Sequence, residues 1–75
     1  MSKNQRNELE KRVKAIESEI VALEEKAANL SQQMTLPDIA ADFAKLNEVA
    51  EKHRETETKI QDLYTEWETA AEVLK

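Results

Sequence analysis

The run from Leu9 to Met34 constrains this chain most. Its apolar residues are Leu9, Val13, Ile16, Ile20, Leu23, Ala27, Leu30 and Met34. The steps between them alternate four and three without a break. That average of about 3.5 residues is the stripe of a coiled coil, which keeps one helix face turned toward a partner helix. Val13, Ile20, Ala27 and Met34 take the a positions, and Leu9, Ile16, Leu23 and Leu30 the d positions. Glu10, Arg12, Glu17, Glu19, Glu24 and Lys26 occupy the e and g positions that flank such a seam.

The pattern breaks at Thr35-Leu36-Pro37-Asp38. Proline disfavours helical geometry in the residue before it and suits a first helical turn. The spacing therefore predicts a helix over about 4–34, a bend over about 35–38 and a second helix over about 38–74. Ser2 or Asn4 is placed to cap the first helix, and Asp42 either caps the body of the second or lies within it. Leu36, Ile39 and Phe43 are expected to plug the bend. The second helix repeats the seam, with Leu46, His53, Ile60, Trp67 and Leu74 at a, and Val49, Thr56, Leu63 and Ala70 at d. Phe43, Ala50, Tyr64 and Ala71 at e are expected to widen the stripe.

Two such helices around a short break fold back on each other. The predicted fold class is all-α, an antiparallel two-helix coiled-coil hairpin in a single domain. Its expected register pairs Leu30 with Leu46, Ala27 with Val49, Leu23 with His53, Ile20 with Thr56, Ile16 with Ile60, Val13 with Leu63 and Leu9 with Trp67. Met34 would then face Asp42. A shift by one heptad keeps the same apolar pattern.

Composition narrows the function classes. Glycine is absent, so there is no phosphate loop, and cysteine is absent, so there is neither a disulfide frame nor a thiolate metal site. The single histidine, His53, has Glu57 one turn on, and one imidazole with one carboxylate is a poor metal site. No catalytic constellation is present, and the chain is not expected to be an enzyme. No apolar run reaches the roughly 20 residues of a membrane span, and the first residues are polar throughout, so a cytoplasmic location without membrane contact is expected.

The net charge of −5 is uneven. Residues 1–34 hold six bases against six acids, whereas residues 35–75 hold five against ten. The candidate surface for phosphate is therefore the cluster Lys3, Arg6, Lys11, Arg12 and Lys14. Arg12 on the flank, with Lys11 and Lys14 on the outer face, is expected to be free of the seam. Across the hairpin, Asp62, Glu66, Glu68 and Glu72 should repel a phosphate backbone. Two or three neutralised phosphates would give a salt slope of only about −2 to −3, hence weak binding without base specificity. Trp67 and Tyr64 are the large aromatics near the open end. Trp67 reads as a packing anchor against Leu9 and Arg6 rather than a stacking platform for a base.

Three stretches carry a family resemblance. They are the opening QRNELEKRVKAIESEIVALEEK, the bend MTLPDIAADFAKLNEV and the ending KIQDLYTEWE. Together they resemble the C-terminal domain of ABC-F type ATPases, the soluble ATP-binding-cassette proteins. Asp42, Phe43, Lys45, Leu46, Leu63, Tyr64, Trp67 and Glu68 match the family pattern, whereas His53 and Thr56 stand where leucines are usual. The resemblance implies a non-catalytic arm at the C-terminus of a larger ATPase. ATP and magnesium would be bound only by the parent's own ATPase domains, which would be partners in cis. It also implies weak contact with DNA, ribosomal RNA or the ribosome. The alternative is a purely structural coiled coil for self-association or protein–protein contact.

Overall fold

A computed structural model describes residues 1–75. Helix α1 runs Lys3–Gln33, a short helical turn α2 runs Pro37–Ala40, and α3 runs Phe43–Leu74. The two long helices pack against each other as an antiparallel hairpin, 56 Å long and 15 × 14 Å across. No strand is present, and no helix is long and apolar enough to cross a membrane.

Local chemistry fixes the ends. The Ser2 hydroxyl accepts from the Gln5 backbone N–H at 3.2 Å, and the Ser2 N–H donates to Gln5 Oε1 at 2.9 Å. This reciprocal pair satisfies two amides that a helix start would otherwise leave bare. At the far end of α1, the Met34 N–H still reaches the Leu30 carbonyl, and Thr35 Oγ1 donates to the Gln32 carbonyl at 2.7 Å. Pro37 occupies the first turn of α2, where a missing N–H costs nothing. Asp42 is extended and accepts from the Lys45 N–H at 3.1 Å, so it caps α3 rather than lying inside it.

Every residue from Leu9 to Met34 that is not solvent-exposed belongs to the heptad seam. Ile16, Ile20, Ala27 and Leu30 are buried, and Leu9, Val13, Leu23 and Met34 are half-buried. On α3 the seam residues Val49, Thr56, Ile60 and Ala70 are buried, and Leu46, His53, Leu63, Trp67 and Leu74 are half-buried. Ala50 and Ala71 add half-buried area at e, but Tyr64 is exposed and Phe43 is 79% exposed. The expected plug of the bend does not form. Leu36 and Phe43 both face solvent, and only Ile39 is half-buried. The reason is the extra turn: α2 packs along α3, which carries Leu36 and Phe43 to the outside of the bend.

The register also differs from the expected one, by one heptad. Ser31 Oγ lies 3.5 Å from His53 Nε2, and the Trp67 indole N–H donates to Glu17 Oε2 at 3.3 Å. In the expected pairing each of these pairs would be offset by eight residues, about 12 Å along the axis, out of reach for Ser and His side chains. His53 instead stands beside the Leu30–Ser31 turn and Trp67 beside Ile16–Glu17. The heptads then place Met34 with Val49, Ala27 with Thr56, Leu23 with Ile60, Ile20 with Leu63, Val13 with Ala70 and Leu9 with Leu74. Trp67 is thus not an anchor on Leu9 and Arg6.

Burial favours this choice. The expected register would set Ala70 against Arg6 and Leu74 against Ser2, leaving two apolar residues opposite polar ones. The observed register gives every seam residue of α1 an α3 seam partner. It leaves the first turn of α3 overhanging, where α2 lies against it. The Arg6 guanidinium meanwhile donates to the Leu74 carbonyl at 3.2 Å and satisfies part of the C-terminal end of α3.

Candidate functional site

The cluster Lys3, Arg6, Lys11, Arg12 and Lys14 is at the N-terminal end of α1, but three of its five bases are engaged. Arg12 clamps Glu66 across the seam, Nε to Oε1 at 2.8 Å and an η nitrogen to Oε2 at 2.9 Å. This two-pronged geometry suits a guanidinium and carboxylate, and it takes Arg12 out of the free surface the sequence suggested. Arg6 pairs with Glu10 at 3.2 Å besides reaching the Leu74 carbonyl. Lys11 lies 3.9 Å from Glu8, with both side chains largely in water. Lys3 and Lys14 make no ion pair.

A second row of bases was missed in the sequence. The g positions of α3 are Lys45, Lys52, Lys59, Glu66 and Val73, and Lys26 sits at g on α1. In an antiparallel pair the two g rows share one flank, and the two e rows share the other. The observed register brings Lys26 level with Lys59, and Lys26 and Lys52 line one open groove with Asn29 and Gln33. Lys26, Lys45 and Lys59 make no ion pair, while Lys52 is 3.4 Å from Glu48 on its own helix. Glu48, Glu55 and Asp62, one step outward on α3, temper the positive potential of this flank. Three lysines at seven-residue spacing were the available signal, since the same heptad letters that mark the seam mark its flanks.

The other flank carries the opposite sign. Its e rows hold Glu10, Glu17, Glu24 and Ser31 on α1, and Glu57 and Tyr64 on α3. His53 reaches this side, with Nε2 3.9 Å from Glu57 Oε1. No group of three His, Cys, Asp or Glu side chains is arranged to hold a metal ion. Thr56 is the one buried polar residue, and its hydroxyl donates to the Lys52 carbonyl at 2.7 Å, so it is satisfied within its own helix. No buried side-chain polar atom lacks a partner. The hairpin therefore offers surfaces rather than an enclosed polar pocket.

Comparison with curated proteins and with solved structures gives no match. The family model described as ABC transporter C-terminal domain matches residues 1–72, nearly the whole hairpin. On that match the chain belongs to the ABC transporter C-terminal domain family.

Proposed function

We propose that the hairpin is a non-catalytic arm of a larger ABC-F type ATP-binding protein, and that it adds a weak, sequence-independent contact to nucleic acid, DNA or ribosomal RNA. ATP binding and hydrolysis belong to the parent's cassettes in this reading. The observation that supports the contact is the row of unpaired lysines, Lys26, Lys45 and Lys59, gathered on one flank of a chain whose net charge is −5. Lys45 and Lys59 are fourteen residues apart, about 21 Å along α3, and Lys26 is level with Lys59, so these charges can meet separate phosphates of one backbone. Lysine is a compact point charge, and a row of lysines that contacts phosphate carries no sequence information.

Fluorescence anisotropy with short DNA and RNA at two salt concentrations tests this reading. With about three phosphates neutralised, the slope of log affinity against log salt is about −2 to −3, and dissociation constants lie in the micromolar range or weaker. Lys26→Glu/Lys45→Glu/Lys59→Glu abolishes binding, whereas Lys3→Glu/Lys11→Glu/Lys14→Glu weakens it less. Binding lost only in the second variant moves the contact to the N-terminal cluster. No binding at low salt by the parent chain removes nucleic acid from the account.

A further inference from the structure

The acidic flank carries a groove that the nucleic-acid reading does not use. Toward the open end it is lined by Glu17, Val21, Glu24, Tyr64 and Trp67 over a floor of Ile20. It continues past Glu24 between Ala27 and Ala28 on one side and His53 and Glu57 on the other. The two stretches lie end to end along the seam with Glu24 bordering both, a channel interrupted at that side chain. The small side chains of Ala27 and Ala28 leave room in the second stretch, opposite His53 and Glu57. The channel runs from the level of Glu17 to that of Ser31, about 21 Å, the length of a four-turn helix. Val21 is 60% exposed and Tyr64 is exposed beside it, so the apolar wall is open to solvent.

We infer that this channel docks a third helix, one with an apolar stripe bordered by lysine or arginine, supplied by a protein partner. The charges on the rim select the occupant. Glu24 makes no ion pair, Glu17 is held only by the Trp67 indole, and Glu57 has only the nearby His53. Those carboxylates repel a phosphate backbone and an anionic lipid surface alike. They also oppose a second copy seated face to face, because a two-fold contact sets the same acids against each other. The bases on this side, Lys14 and Arg54, sit outside the rim, and Arg54 is tied to Glu51. A basic amphipathic helix satisfies both the apolar wall and the acidic border, and it converts a two-helix hairpin into a three-helix bundle.

Trp67, the only tryptophan, stands in the channel and reports its occupancy. The probe is a synthetic 18-residue peptide with leucines at helical seam spacing and lysines on both borders, titrated into this 75-residue chain. Its control has glutamates in place of the lysines. Saturable blue-shifting of Trp67 emission by the lysine peptide alone is the expected result. Glu24→Lys/Glu57→Lys, both on the solvent side of the rim, should weaken binding about ten-fold through two reversed surface pairs. Glu25→Lys/Glu72→Lys, with the same charge change away from the channel, should not. Equal weakening by both variants would mean that net charge, not the channel, holds the peptide, and would overturn the proposal. So would emission that shifts with chain concentration alone, which would make a second copy the occupant, or the absence of any shift with the lysine peptide.

Discussion

His53→Leu is the substitution whose outcome the seam geometry fixes most closely. The imidazole lies in the layer with Leu30, and its side chain is 28% exposed. Its polar contacts are thin. Ser31 Oγ is at 3.5 Å, the outer limit of a hydrogen bond, and Glu57 Oε1 is at 3.9 Å on a half-exposed side chain. Burying a leucine fully gains about 1.5–3 kcal/mol. Here roughly three quarters of the side chain is covered, and the imidazole ring already supplies part of that apolar area. Losing a weak hydrogen bond costs about 0.5–1 kcal/mol. The net is a stabilisation of about 1 kcal/mol, which in a chain of this size raises Tm by about 4–8 °C. Thermal unfolding followed by helical circular dichroism measures it. A lowered Tm would refute the reasoning, because the Ser31 and Glu57 contacts would then outweigh leucine burial.

Three further substitutions separate the layers. Ile16 is 0% exposed beside Trp67, so Ile16→Ala should cost about 2–5 kcal/mol and lower Tm steeply; an unchanged Tm would contradict the packing. Arg12→Ala and Glu66→Ala, combined in a double-mutant cycle, should show a coupling of only about 0.2–1 kcal/mol, since both side chains are about half exposed, and the coupling should shrink with added salt. Phe43→Ser should change stability by no more than about 0.5 kcal/mol, because the ring faces solvent; a large loss would restore the apolar plug at the bend.

The hairpin was legible because the same period of 3.5 runs on both sides of Pro37, and only a fold-back lets both stripes bury each other. The register was not. A heptad repeat is unchanged by a shift of seven residues, so the letters a and d cannot choose between Leu23 and Leu30 as the neighbour of His53. The choice was made by the bend. Pro37 starts an extra helical turn, Asp42 caps α3 five residues later, and the overhanging start of α3 finds cover in α2. Phe43 and Leu36 were misplaced for the same reason, since a plug presumes a tight turn. On the surface, the N-terminal bases stood out by their proximity in sequence, yet Arg12 reaches the Glu66 carboxylate and Arg6 the Leu74 carbonyl, partners that only the folded hairpin brings close. The row Lys45, Lys52 and Lys59 is spread over fifteen residues among nine other charges or polar groups, and becomes one flank only when the helix is formed.

The register carries both flanks, because it decides which charges share a level and which side chains of α1 and α3 face each other across the channel. The chain has no cysteine, so paired cysteines report it directly. Leu30→Cys/His53→Cys places two cysteines facing each other in one seam layer, the geometry in which the Cα separation of about 4.4–6.8 Å that a disulfide accepts can be approached. Leu23→Cys/His53→Cys sets them a heptad apart along the axis, about 10 Å, which a disulfide cannot span. Air oxidation in dilute solution, read as the intrachain disulfide by mass, should close the first pair rapidly and leave the second reduced. Closure of the Leu23–His53 pair in preference, or only interchain products from both, would contradict the hairpin as described.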